Sequence, residues 1–459
     1  MKRAIKPNLI VILVDDLRFD ETGASGHPYM KTPHIDRLAA EGARCANAFH
    51  TTPLCSPNRA CILTGQYASR HGIIDNVGRE AMSHRLANYH LELQRLGYDT
   101  AHIGKWHMGN DAAPRPGYDT WISFRGQGTI RDPVFFEHGK ETQVRGYVTD
   151  LLNERAAQFV SRRREKPFAL FFAHKAVHPD VQQRQDGTID LATMQGYVLP
   201  ERHRDLYRGC VYPPRPNVLP IDRVLKQKPA WKDVFELRSR PGMRAFLDAI
   251  HVGSQEEIRS RAAMMASVDE GVGLILQALE RNGTLDDTLI LFLGDNGFFF
   301  GEHGLGAERR FAYEEGIRTA FFVRYPRLVK PGTVIEPMVL ALDIAPTLIE
   351  LGGGRPGGQI QGLSLVPLFR GRSRWRKSFL IEYYNESAWP WIVGMSYKAV
   401  RTERAKLIHW VHKEGVDELY DLARDPYEIR NVIGRPAYGR VRARLYGELR
   451  KLVANAAGL

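Results

Sequence analysis

Four apolar runs organise the chain. Leu9-Ile10-Val11-Ile12-Leu13-Val14 is continuous and rich in β-branched residues, the pattern of a strand buried on both faces of a sheet. Phe168 to Ala173, Thr288 to Leu293 and Ala320 to Pro326 repeat it. Helical stretches lie between them, at Thr32 to Gly42 and Glu256 to Asn282. In the second, Met265, Val268, Val272, Ile275 and Leu279 recur at alternating steps of three and four, one face of a helix. Strands alternating with helices predict an α/β fold with a large mixed, mostly parallel sheet sandwiched by helices.

From about Arg370 the pattern changes. Phe379 to Tyr384, Tyr397 to Thr402 and Lys406 to Val411 are shorter and alternate in polarity, and a helical stretch from Ala437 to Ala454 follows. A small C-terminal antiparallel sheet plus helix is expected there. The chain is thus read as an α/β unit over 1–370 and an α+β unit over 371–459. Within the first, 180–253 is poor in periodicity and rich in Pro, Arg and Tyr, which predicts an insertion forming a pocket wall.

Three of the buried strands run into polar residues: Val14 into Asp15-Asp16, Ala173 into His174-Lys175-Ala176-Val177-His178, and Leu293 into Gly294-Asp295-Asn296-Gly297. Ligands of open α/β sheets bind at the carboxyl ends of strands. Asp15, Asp16, Asp295 and Asn296 form an all-oxygen set, which selects a hard cation, Ca²⁺ or Mg²⁺, over zinc. A single strand-end Asp pair is explained well enough as a cap or turn; two such pairs at two strand ends are better explained as a cation site.

Composition narrows the classes. With 459 residues, 43% hydrophobic and 25% charged, the chain is an ordinary globular protein too long for one core, and neither disordered nor fibrous. No run approaches the ~20 apolar residues of a membrane span. The Leu9–Val14 run is too short for a signal peptide and lacks a cleavage site, so a cytoplasmic protein without membrane contact is expected. Cys45, Cys55, Cys61 and Cys210 form no C-x-x-C pair, which argues against a disulfide scaffold or zinc ribbon. The net charge of +12 comes from basic residues scattered along the chain, apart from Ser161 to Arg164 and Arg370 to Lys377. Solvated surface and an anion-binding cleft account for it, and no nucleic-acid partner is expected.

The sharpest local pattern is Leu54-Cys55-Ser56-Pro57-Asn58-Arg59-Ala60 followed by Leu63-Thr64-Gly65. It stands in an ordered series with Pro7-Asn8-Leu9 to Asp16, Gly97-Tyr98 to Gly109, His178-Pro179, Gly294 to Gly297, Tyr313-Glu314-Glu315, Leu342 to Thr347, Leu419 to Leu422 and Asp425-Pro426. In this series the sequence resembles the type I sulfatases of the alkaline-phosphatase superfamily, whose modification motif is C-x-P-x-R.

The resemblance implies that a separate, transiently bound maturation enzyme oxidises Cys55 to Cα-formylglycine. It also implies that calcium is held by Asp15, Asp16, Asp295, Asn296 and residue 55, and that a small sulfate ester is the substrate. Arg59 and Lys105 would hold the formylglycine and the sulfate, His107 would assist sulfate release, and His178 would stand near the leaving oxygen. Lys105 and His107 are taken to share one side of an extended segment. The family's lysine four residues before the Tyr of its Y-E-E/G motif is replaced here by Arg309. Arginine grips sulfate bidentately but cannot give up a proton, so leaving-group protonation falls to His178. Cys45, Cys61 and Cys210 are read as small buried hydrophobes. Asn58 is taken to occupy a variable motif position, and His303 to shape its loop.

Two other readings remain. Phosphonate or phosphate mono- or diesterases of the same superfamily also carry C-x-P-x-R, and an anion-binding scaffold could keep the fold with Cys55 unmodified. The nature of the ester's organic group and the oligomeric state, a homo-oligomer included, are left open by the sequence.

Overall fold

The computed structural model of the chain describes residues 6–190, 193–249, 253–372, 374–386 and 392–458. Ten strands form the main sheet: β1 (Asn8–Val14), β2 (Ala43–Cys45), β3 (Asp99–Gly104), β4 (Thr120–Ser123), β5 (Val134–Glu137), β6 (Lys140–Gln143), β7 (Phe168–Ala173), β8 (Thr288–Gly294), β9 (Phe321–Arg324) and β10 (Thr333–Ile335). Their order is β10-β2-β9-β8-β1-β7-β3-β4-β5-β6. The central block β8-β1-β7-β3-β4 is parallel, as is the outer pair β10-β2. The expected mixed, mostly parallel sheet is present. Two strands depart from the simplest alternation: β9 runs antiparallel to both β8 and β2, and β5 to both β4 and β6.

β1 is central because it is apolar on both faces. Ile10, Ile12 and Val14 pack into one core, with Ile35 and Leu38 of α1 (Pro33–Ala40), Leu152 and Phe159 of α3 (Val148–Ser161) and Met265, Val268 and Val272 of α4 (Gln255–Arg281). Leu9, Val11 and Leu13 enter a second core, with Ala60, Ile62 and Leu63 of α2 (Cys55–Thr64) and Ile344, Ala345 and Leu348 of α5 (Ile344–Leu351). Each Val, Ile, Leu, Met or Phe among these contributes roughly 1.5–3 kcal/mol when fully buried. Among the described residues α4 alone has the length and apolarity to cross a membrane, but its apolar stripe lies inside the first core.

The C-terminal antiparallel sheet has four strands, one more than expected: β11 (Ser378–Tyr383), β12 (Tyr397–Thr402), β13 (Ala405–Trp410) and β14 (Glu418–Asp421). Leu380, Val400, Leu407 and Leu419 on one face meet Leu445 and Leu449 of α6 (Gly439–Ala457). Phe379, Ile381, Tyr397 and Trp410 on the other meet Phe49, Leu54, Trp231 and Tyr313. The 180–253 insertion, poor in periodicity, contains helices at Ile221–Gln227, Lys232–Arg238 and Pro241–Ala249. Their short lengths hold too few turns to show a period in the sequence.

Candidate active site

Register brings the carboxylates together. The parallel ladder of β1 and β8 ends on Val14 opposite Gly294, so Asp15 and Asp295 leave the sheet side by side. The Asp295 N–H donates to the Val14 carbonyl at 3.0 Å, and the Asp16 N–H to Asp295 Oδ1 at 2.9 Å. On the other edge of β1, the Asp15 N–H donates to the Ala176 carbonyl and the Val177 N–H to the Asp15 carbonyl, both at 2.8 Å. Three strand ends thereby share one buried spot.

Helix α2 delivers the fourth component. Pro57 is tolerated in its first turn, where the N–H that proline lacks would have no helical partner. Cys55 and Arg59, four residues apart, fall on the same helical face. One ligand atom each from Asp15, Asp16, Cys55 and Asp295 lie within 4.8 Å of one another, all in buried residues. The amino end of α2 carries the positive end of the helix dipole, which favours an anion there.

The cations are arranged around this group. Arg59 Nε donates to Asp295 Oδ2 at 2.8 Å, its Nη2 lies 2.8 Å from the same oxygen, and its Nη1 donates to the Lys105 carbonyl at 2.6 Å. Lys105 Nζ donates to Asp15 Oδ2. Arg309 Nη1 lies 3.0 Å from Asp16 Oδ2, and its Nη2 donates to His178 Nε2 at 3.1 Å. His178 Nδ1 is 2.9 Å from the Pro179 carbonyl. A carbonyl only accepts, so Nδ1 carries the proton and Nε2 is the acceptor that takes the Arg309 hydrogen bond.

Electrostatics follow from crowding and burial. Burial and the neighbouring Asp15 push Asp295 up to about 7. Burial raises Asp16 as well, with Asp15 adding to it. Burial opposes ionisation of Asp15 too, but Lys105, His178 and Arg59 outweigh it and hold that carboxyl well below its ordinary range. Burial and the flanking Asp15 and Asp295 keep the Cys55 thiol well above its usual value, so no thiolate forms there near neutrality. Burial also lowers His178 and His107 far below the ordinary imidazole value, with Lys105 contributing to both.

The residues fit a hard divalent cation. Asp15 Oδ1 and Asn296 Oδ1 are buried acceptors without a hydrogen-bond partner. Asn296 Nδ2 donates to Asp16 Oδ1 at 2.7 Å, which leaves its amide oxygen free as a ligand. Buried polar atoms are normally satisfied, and a cation would satisfy these.

All the expected residues, Asp15, Asp16, Cys55, Arg59, Lys105, His107, His178, Asp295, Asn296 and Arg309, are gathered in this one region. One reading needs correction. The Lys105–His107 segment is not extended: β3 stops at Gly104 and His107 takes a left-handed φ of 64°. His107 instead sits between Ser56 Oγ, 3.3 Å from Nδ1, and Gln183 Oε1, 2.6 Å from Nε2. Asn58, at its variable motif position, also clamps the strand end, its Nδ2 donating to the Asp295 carbonyl at 2.6 Å. His303 turns away from the carboxylates into a separate buried cluster with Asn217 and Glu315, at 3.2 and 3.5 Å. Gln183 and Lys175 escaped the sequence reading. Lys175 was legible as a strand-end residue beside His178; Gln183 carried no signal.

The profile of the family described as Sulfatase matches residues 7–354, and that described as N-sulphoglucosamine sulphohydrolase, C-terminal, matches 301–455. An N-acetylglucosamine-6-O-sulfatase of Bacteroides thetaiotaomicron is 30% identical, over 95% of this chain and 84% of that protein. A solved structure of a protein with its substrate D-glucosamine-2-N,6-O-disulfate superposes with a TM-score of 0.83 at 27% identity, covering 99% of this chain and 98% of that one. The phosphonate monoester hydrolase of Agrobacterium radiobacter superposes with a TM-score of 0.74 at 22% identity, over 98% and 96% of the two chains, a likeness of fold.

Proposed function

We propose, from the premise that this chain belongs to the sulfatase family and is a sulfuric ester hydrolase, that it removes a 6-O-sulfate from a glucosamine-type sugar. The observation that carries the sulfate-ester chemistry is the buried convergence of Asp15, Asp16, Asp295 and Cys55 inside a ring of fixed cations. The choice of sugar is supported by the relative and the substrate complex described above.

The thiol of Cys55 is held protonated between two carboxylates, which suits a residue that acts only after oxidation to an aldehyde. In the hydrated aldehyde one geminal hydroxyl attacks sulfur and the ester oxygen leaves. Loss of the proton from the other hydroxyl then expels sulfate and restores the aldehyde, so no water need reach a crowded, anionic sulfur. Asp15, Asp16, Asp295, Asn296 and the oxidised residue 55 would hold Ca²⁺, which when bound neutralises sulfate charge and acidifies a hydroxyl.

Arg59 and Lys105, locked by Asp295 and Asp15, supply preorganised positive charge to the sulfo group. Arg309 turns from His178 Nε2 to a sulfate oxygen, and that nitrogen, protonated in the substrate complex, delivers its proton to the leaving oxygen. Burial, with the site's cations adding to it, holds His178 neutral in the free protein; a bound sulfate anion opposes the cations and raises its proton affinity. His107, fixed by Ser56 and Gln183, takes the proton in the elimination step.

The substrate reading is tested with enzyme fully converted at position 55. N-Acetylglucosamine-6-sulfate is expected to exceed an aryl sulfate in kcat/KM by about 100-fold, because buried polar groups left unpaired penalise the aryl ester. Equal or faster turnover of a matched aryl phosphonate would assign the protein to the phosphonate branch instead.

His178→Ala provides a second test, of role. A general acid matters most for poor leaving groups, so turnover of the sugar sulfate should fall by about 10²–10⁴-fold and that of 4-nitrophenyl sulfate by far less. Equal losses on both esters would remove the proton-donor role from His178.

A further inference from the structure

One cation beside this site has no part in the chemistry above. Lys175 leads out of β7 in the segment pinned to Asp15 by the two 2.8 Å backbone hydrogen bonds of Ala176 and Val177. Its side chain is 0% exposed, and Nζ has no hydrogen-bond partner. Asp180 Oδ1, the carboxylate oxygen it faces, is 3.8 Å away. That carboxylate already accepts the Ile130 N–H, 3.2 Å from each oxygen.

An ammonium taken out of water without a close partner is costly, and such groups are retained where an anion completes them. The other three cations are already engaged: Arg59 with Asp295, Lys105 with Asp15 and Arg309 with Asp16. Lys175 shares their surroundings. After burial its charge state is set by Asp180, Lys105, Asp15 and Asp16, and its charge acts in turn on His178.

We propose that Lys175 is a further sulfate-binding residue of this site, its unpartnered ammonium being completed by an oxygen of the substrate's sulfo group. The proposal rests on the sulfate-ester reading and adds to it the residue that sets affinity for the anion. Substrate then brings Lys175 the partner that the free protein does not provide. Its contribution therefore falls on KM and on binding of the product sulfate.

Lys175→Met keeps the length of the side chain and removes the charge. The KM for the ester and the inhibition constant of inorganic sulfate should each rise about tenfold, with kcat changed by less than about threefold, as for loss of one charge-assisted hydrogen bond. The rise in melting temperature that sulfate gives the wild-type protein should shrink in parallel. Burial lowers the proton affinity of Lys175 to about 8, so the ammonium is lost as pH rises through that value. Wild-type sulfate affinity should weaken there, and Lys175→Arg should move that limb to higher pH.

Should Lys175→Met not fold, the wild-type and Lys175→Arg pH profiles carry the same test. Unchanged sulfate inhibition in Lys175→Met, or an unmoved alkaline limb in Lys175→Arg, overturns the proposal. So does a Lys175→Met protein that only melts lower and recovers with Asp180→Asn, which makes the two residues a structural pair. If the wild-type protein neither turns over a sulfate ester nor binds sulfate, the sulfatase activity itself falls; normal wild-type turnover with an indifferent Lys175 sinks this inference alone.

Discussion

Cys55→Ala is expected to lower kcat on any sulfate ester by about 10⁴-fold or more, the scale of losing a covalent nucleophile. The folded state should survive, because the side chain lost is small and makes no hydrogen bond that another group needs. Melting temperature and calcium binding, each measured beside turnover, separate loss of chemistry from loss of structure. Cys55→Ser is the sharper variant. Its single hydroxyl can attack sulfur but has no geminal partner to expel sulfate afterwards, so one equivalent of ester should be cleaved and the peptide spanning position 55 should gain one sulfo group by mass spectrometry. Continuous turnover by Cys55→Ser would mean that water resolves the intermediate, and the aldehyde would lose its purpose. In the wild-type protein the same peptide should be lighter than its unmodified form by one sulfur and two hydrogens, less one oxygen. A peptide of unmodified mass in active enzyme would return Cys55 to the role of a buried hydrophobe.

Much of this site was legible because strand ends can be read without tertiary information. An uninterrupted apolar run must be buried on both faces, and where it stops at Asp15-Asp16 or Asp295-Asn296 the polar residues must emerge at a sheet edge. Parallel pairing of β1 with β8 then aligns the two stops. What stayed hidden depends on local geometry or on partners distant in sequence. Helix α2 shows no amphipathic period, because every residue from Cys55 to Thr64 is buried. The left-handed turn at His107 has no glycine to announce it. Asn58 matters only because the Asp295 carbonyl arrives beside it from the far side of the sheet. The antiparallel direction of β9 is likewise invisible in an apolar run, which reads the same both ways.

The second large effect concerns the cation. Asp295→Asn is expected to abolish calcium-dependent stabilisation and to lower kcat/KM by about 10³-fold, as for loss of a ligand together with its fixed negative charge. The reasoning begins with the metal-free protein. Asp295 titrates at about 7 because burial and Asp15 oppose its ionisation, whereas in the unfolded chain it titrates near its ordinary value, ~4. Between those limits the native state holds a proton that the unfolded state has released. Its contribution to stability is thus complete below about pH 4 and is lost as pH rises towards 7. A divalent cation replaces the proton and removes the repulsion. Calcium should therefore raise the melting temperature more at about pH 7.5 than at about pH 5.5, with a saturating excess of about 100 times Kd contributing about 2.7 kcal/mol at the higher pH. In Asp295→Asn both the calcium increment and this pH slope should disappear. Because Oδ2 of Asp295 also accepts from Arg59 Nε at 2.8 Å and pairs with its Nη2 at 2.8 Å, the variant leaves a buried guanidinium partly unpaired and should melt below wild type even in chelator. If calcium stabilises Asp295→Asn as it does wild type, the carboxylate is only the partner of Arg59, and the metal lies elsewhere.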